Sequence, residues 1–261
     1  PVGTTGTITP EQVAAAIRPD TALVTIMYAN NEIGSILPIA EIGAVCREKG
    51  VIFHTDAVQA AGHLHIDVKA QNIDMLSLSG HKFHGPKGSG VLYARKGIPL
   101  VNIIEGGAQE RGKRAGTENL PAIVGMAAAL QEACDHIDEN AAKVSALRDK
   151  LISGLSKIPH SALNGDPVHR LPGNVNITFD GVEAETMLLL LDEAGICASA
   201  GSACSAGAVE PSHVLLALGL TPAQAKSTLR LTLDAANTAE EIDTAAAVIT
   251  ACVQRLRDGV R

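Results

Sequence analysis

Two rhythms of apolar and polar positions alternate along the first half of the chain. Short apolar runs rich in β-formers predict strands at residues 22–28 (ALVTIMY), 51–55 (VIFHT), 73–78 (IDMLSL) and 90–94 (GVLYA). The unbroken apolar character of 22–28 predicts a strand buried on both faces. A helix is expected to start at Thr9, which can cap it, with Pro10 in its first turn and Gln12 completing a capping box. Residues 39–49 read as a second helix, stopped by Gly50. Strands alternating with helices predict an α/β fold with a mostly parallel sheet covered by helices. From about residue 120 the pattern changes. Long helical periodicity fills 120–137 and 141–158, and 183–193 is amphipathic and closed by Gly195. A short helix is expected at 211–218. Alternating strands are expected at 175–179 (VNITF) and 228–233 (TLRLTL), the second with Arg230 among its polar positions. A last helix spans 238–257, opened by a Thr238/Glu241 capping box. This part reads as α+β, so the boundary falls near Asp138, giving domains 1–137 and 138–261. There is no internal repeat and no low-complexity tract.

Composition narrows the class. With 261 residues, 46% apolar and 19% charged, the chain is long and apolar enough to bury a core. Aromatic residues are only 2%, with no Trp, so that core must be aliphatic. A net charge of −7 argues against nucleic acid or an anionic membrane surface as partner. The longest apolar runs fall far short of a membrane span. Five cysteines with no Cys-x-x-Cys pair argue against a disulfide scaffold or a zinc ribbon, suggest no metal site, and favour a reducing cytoplasm. The sequence starts at Pro1 without an initiator Met and opens with no signal peptide, so a processed chain or a fragment is expected.

The densest chemical signal is SGHKFHGPKG at residues 79–88, directly after a predicted buried strand. Ligands of parallel α/β sheets gather beyond the carboxyl ends of strands. A lysine desolvated there becomes a nucleophile. Asp56 ends the strand one crossover unit earlier, so it and Lys82 can share a sheet edge. A pyridoxal phosphate enzyme needs such a lysine and an acid for the pyridine nitrogen. Gln59 can bond the cofactor's phenolate oxygen, and Ser79 and His81 can donate to its phosphate. Taken singly, these residues read as well as a solvated turn with two surface lysines and a helix-capping aspartate.

Five motifs carry a closer resemblance. They are ANNEIG (29–34), HTDAVQ (54–59), SGHKFHGPKG (79–88), GGAQERGKRAGTEN (106–119) and the pair SAGSAC (199–204) and EPSHV (210–214). In this order they resemble the cysteine desulfurases of the aminotransferase class V superfamily, over essentially the whole chain. SAC and EPSHV are similar to group I, the nitrogen-fixation and iron–sulfur assembly type. The resemblance implies the fold type I architecture of pyridoxal phosphate enzymes: a large α/β domain and a smaller α+β carboxyl-terminal domain. It implies Lys82, Cys204 and His81 as catalytic residues, with Lys82 holding the cofactor. Asp56, Gln59, Ser79, His81 and Lys82 would bind pyridoxal 5'-phosphate. Thr117 would reach the phosphate of a neighbouring subunit, which implies a homodimer. Asn31 and Arg230 would hold the carboxylate of L-cysteine; without the family Arg230 reads as a surface strand residue. Cys204 would carry sulfur as a persulfide to an acceptor such as an iron–sulfur scaffold. Cys46, Cys134 and Cys252 are expected to pack in helices, and Cys197 to be a packed neighbour of the Cys204 loop.

The sequence departs from that pattern in two places. The family's glycine-rich phosphate turn and ring-stacking histidine have no counterpart before Pro1, so roughly the first third of a usual chain is expected to be missing. Leu233-Asp234-Ala235-Ala236 stands where the family commonly has a glycine after the strand. A selenocysteine lyase, or a catalytically silent truncated scaffold, are the alternatives. The acceptor, and a nitrogen-fixing or housekeeping role, are not legible.

Overall fold

A computed structural model describes residues 1–201 and 210–259, which fall into two units. One holds Pro10–Tyr28 and Pro38–Ile137. Its elements are α1 (Pro10–Ala16), β1 (Leu23–Met27), α2 (Ile39–Lys49), β2 (Ile52–Asp56), β3 (Met75–Ser79), β4 (Gly90–Ala94), α3 (Gln109–Gly112) and α4 (Leu120–Asp135). The sheet order is β1-β2-β3-β4, with the first three parallel and β4 antiparallel to β3. Helix α2 ends where Gly50 turns left-handed at φ 68° and returns its N–H to Arg47 and Cys46 carbonyls, a position that favours glycine. Met27, Asp56 and Ser77 are register partners, so β1, β2 and β3 point their carboxyl ends to one edge.

The expected double burial of the first strand is corrected. Leu23 is 47% exposed, because β1 stands at the edge of this sheet. Its Thr25 instead begins a polar row across three strands. Thr25 Oγ1 bonds His54 Nδ1 at 2.7 Å, and His54 Nε2 bonds Ser77 Oγ at 2.9 Å. Burial lowers the His54 pKa from its ordinary value, against an opposing pull from Asp56.

The other unit holds Pro1–Thr9, Ala29–Leu37 and Asp138–Arg261. Its antiparallel sheet runs β5 (Ser161–Leu163), β6 (Asn174–Phe179), β7 (Thr228–Thr232), with α5 (Ile137–Leu155), α6 (Ala184–Glu193), α7 (His213–Ala217), α8 (Pro222–Lys226) and α9 (Ala239–Arg257). The capping box at Thr238 and Glu241 opens α9. Val175, Ile177 and Phe179 from β6 pack with Leu151 and Leu155 of α5, Met187 and Leu191 of α6, and Ile249 and Val253 of α9. Phe179→Ala should cost about 3–5 kcal/mol, because it empties a fully buried aromatic site; a denaturant melt measures it.

VNITF alternates as expected, and all six residues of β6 are buried. The polar face is covered by polar partners. Asn164 Nδ2 donates to Asn176 Oδ1 and Thr178 Oγ1 at 2.8 and 2.9 Å, and Thr178 bonds Thr228. Arg170, 4% exposed, fans its guanidinium onto the carbonyls of Ile33, Asn164, Asp166 and Asn174. Burial and the neighbouring Arg148 push its pKa down to about 10, so it stays charged at neutral pH. These bonds correct the domain reading: Pro1–Thr9 and Ala29–Leu37, assigned from sequence to 1–137, pack with the unit of residues 138–261. No described helix is long and apolar enough to cross a membrane.

Candidate active site

The lysine-bearing segment leaves the carboxyl end of β3 and tightens at once into a 3-10 turn, Gly80–Phe83. Gly80 takes the carbonyl of Ser89 and gives its own to Gly85 N–H, folding 79–89 back on itself. A Cβ at Gly80 would sit 2.5 Å from Ser89 Oγ, so a larger residue would have to push that hydroxyl off its bond to Pro86 O. Phe83, 1% exposed, anchors the turn against Ala61 and Met126. Lys82 is half-buried between this anchor and exposed His81. Its carbonyl accepts from His63 Nε2 at 3.0 Å, which fixes the backbone of the lysine.

Ser79 Oγ and His81 Nδ1 lie 2.8 Å apart, a pair formed across the turn. Asp56 closes β2 beside Ser77, and its Oδ1 accepts Val58 N–H at 3.0 Å. In register, the side chains of Asp56 and Ser77 share one sheet face, and Ser79 lies two residues on along the same face. Gln59 is half-buried in the turn after β2. Thr117 is exposed between α3 and α4 and takes no part in the hydrogen bonds that tie Ser79, His81 and Asp56. An amine, a carboxylate, and a hydroxyl–imidazole pair at strand ends match the needs of a phosphorylated pyridine aldehyde: covalent anchor, ring-nitrogen partner and phosphate donors. The donor set and the glycine-lined fold of 79–89 fit pyridoxal phosphate.

The substrate candidates lie in the other unit. Arg230 on β7 donates from Nη1 to the backbone oxygen of Asn31 at 3.0 Å. The structure thus brings the two together, through the main chain of Asn31. Asn30 Oδ1 accepts the N–H groups of Glu32 and Ile33, which shapes the turn. Arg230 also exchanges two backbone bonds with Ser199, at 2.6 and 3.0 Å. Ser199 opens the stretch toward Cys204, which lies outside the described residues.

The cysteine expectations need revision. Cys46 is buried, but Cys134 and Cys197 are exposed and Cys252 is intermediate. Helix α4 packs through Met126, Ala129, Leu130 and Ala133, which turns Cys134 outward. Ile196 and Ala198 pack on the core, while Cys197 between them is exposed. Sequence reasoning also missed Glu32, Asn176 and Ser212, which bond around Asn31. Glu32 and Ser212 sit inside ANNEIG and EPSHV, so a signal was present.

Residues 1–244 match the Aminotransferase class-V family. The chain is 52% identical over 258 residues to a cysteine desulfurase IscS of Methanosarcina thermophila, covering 99% of this chain and 64% of that protein. A solved NifS-like protein superposes with a TM-score of 0.89 at 36% identity, over 97% of this chain and 67% of that one. A solved SspA in complex with cysteine gives 0.74 at 39% identity, over 90% and 65%. The chain spans 64% and 66% of the length of the first curated relatives it matches. With its lysine turn, its strand-end aspartate and a match over most of its length, the chain belongs to the aminotransferase class-V family, whose members use pyridoxal phosphate.

Proposed function

We propose that the protein is a cysteine desulfurase, which takes sulfur from L-cysteine and releases L-alanine. The carrying observation is the placement of Arg230. Its guanidinium is held against Asn31, and its strand is bonded to the segment leading to Cys204. A guanidinium fork suited to a carboxylate thus lies on a strand bonded to Ser199, five residues before Cys204 in the sequence, and an amino-acid substrate with sulfur calls for both groups. The relatives named cysteine desulfurase and the neighbour holding cysteine support the same reading.

Pyridoxal phosphate, when bound, supplies an electron sink next to the substrate's α-carbon. Lys82 would hold it, Asp56 would keep a proton on the ring nitrogen, and Gln59, Ser79 and His81 would bond its oxygens. Lys82 Nζ moves protons at the substrate's carbon atoms. Arg230 and Asn31 hold the substrate carboxylate. The thiolate of Cys204 attacks the substrate's sulfur: an S–S bond forms, the C–S bond breaks, and the carbon skeleton gains protons to leave as alanine. The proposal includes a homodimer, in which exposed Thr117 meets the neighbouring subunit's phosphate. It also includes a cytoplasmic setting and a sulfur-acceptor protein such as an iron–sulfur scaffold.

The test is alanine release from L-cysteine by the full-length, cofactor-loaded protein. Asp56→Asn should lower turnover on the order of 10²-fold, because a neutral amide cannot stabilise a protonated ring nitrogen. Turnover within a few-fold of wild type would reduce Asp56 to the Asx turn it makes with Val58.

A further inference from the structure

Two stretches of the lysine-bearing unit carry the candidate cofactor residues. One is the turn after β2, with Asp56 at its start and Gln59 within it; the other follows β3 and holds Ser79, His81 and Lys82. They are bonded to each other at both ends. Next to the sheet, Ala57 N–H donates to Ser77 O at 2.9 Å. At the far end, His63 Nε2 donates to Lys82 O at 3.0 Å. A carbonyl only accepts, so this nitrogen carries a proton whether the imidazole is neutral or charged. Residues 57–63 and 77–82 thus form the two sides of a closed frame. The first side is bonded within itself. Asp56 Oδ1 takes Val58 N–H, the Ala57 carbonyl takes the N–H groups of Ala60 and Ala61, and the Ala60 carbonyl takes those of His63 and Leu64. Gly62, left-handed at φ 78°, turns the chain before His63.

Apolar packing also links the two sides, through buried Ala61 and Phe83. Such packing is non-directional: it sets how near the sides lie, not how the Lys82 peptide is rotated. The carbonyl at the end of a one-turn helix has no following turn to take it. A hydrogen bond weakens steeply with angle, so a donor placed there fixes the rotation of that peptide. We propose that His63 is a positioning residue for the cofactor: by closing the frame at Lys82 O, it holds the lysine in one orientation relative to Asp56 and Gln59, so that a single pyridoxal phosphate meets all three. The inference rests on the reading of Lys82 as the cofactor's anchor. His63 acts through the main chain of Lys82. With the frame open, part of the cofactor's binding free energy goes into ordering the lysine.

The experiment titrates pyridoxal 5'-phosphate into the full-length protein stripped of cofactor, as wild type, His63→Leu and His63→Gln, with Kd read from the visible absorbance. The thermal midpoint of each stripped protein is measured alongside. Leucine fills the space without a donor, whereas the glutamine amide can place an N–H where Nε2 stands. His63→Leu should raise Kd about 5-fold, as expected for one lost neutral hydrogen bond. His63→Gln should restore Kd to within about twofold of wild type, less than the loss of one bond would cause. A Kd for His63→Leu within about twofold of wild type, even with a lowered thermal midpoint, would show a purely structural histidine and overturn the proposal. Equal losses in His63→Leu and His63→Gln would overturn it as well, because the N–H would then not be what counts. Should His63→Leu fail to fold, His63→Asn takes its place, since the shorter amide stops short of the Nε2 position. Lys82→Ala judges the anchor separately: a visible band retained in that variant removes the anchor reading, while the contrast between leucine and glutamine in Kd still judges the frame.

Discussion

Lys82→Ala should abolish alanine release from L-cysteine and remove the visible absorbance of bound cofactor. The side chain has two duties in the proposed reaction: it anchors the cofactor and then moves protons at the substrate. Alanine can do neither. The surrounding turn is held by the Gly80–Gly85 and Gly80–Ser89 backbone bonds, by His63 on the Lys82 carbonyl, and by buried Phe83. None of these uses the lysine side chain, so the variant should fold, with the thermal midpoint of the cofactor-free wild type. Loss of at least about 10⁴-fold in turnover is expected, as for removal of a covalent catalytic group. A visible band retained in Lys82→Ala would move the anchor to another lysine, with exposed Lys87 the first to test.

Cys204→Ser should leave that band in place and eliminate sulfur transfer. Asp56, Ser79, His81 and Lys82 belong to one unit, and Cys204 follows the Ser199 strand bridge of the other. Cofactor binding and sulfur abstraction are thus assigned to different stretches of chain. A hydroxyl at neutral pH is a far weaker nucleophile toward sulfur than a thiolate, so alanine output should fall by about 10³-fold or more. Cys197→Ser should be nearly silent, since Cys197 faces solvent between two residues that pack on the core. Normal alanine output from Cys204→Ser, without added thiol, would overturn the assignment of the sulfur acceptor.

The elements with strong local signals were readable from sequence. Strands β2, β3 and β4 show as apolar runs between breakers, and Gly50 and the Thr238–Glu241 box mark helix ends at the residues where the structure has them. Strand β5 has three residues and carries no periodicity to read. Helix α8 was missed although Thr221, Pro222 and Gln224 form a complete capping box, because five residues are too few for an apolar stripe. Burial of the polar face of β6 was not legible, since it depends on Asn164, Thr228 and the Glu32 carbonyl, all remote in sequence. The same long-range bonds draw residues 29–37 away from the unit that flanks them in sequence. For the candidate site, residue types and order pointed to Lys82, Asp56 and Ser79–His81. The Ser79–His81 bond and the Asn31–Arg230 contact needed three dimensions.

The most direct measurement is peptide mass spectrometry of the full-length, cofactor-loaded wild type, alkylated seconds after addition of L-cysteine. The account predicts one extra sulfur on the peptide containing Cys204, appearing together with alanine, and none on the peptides of Cys46, Cys134, Cys197 or Cys252. Alanine formed with no added sulfur on Cys204, or the added sulfur on Cys197 instead, would contradict it.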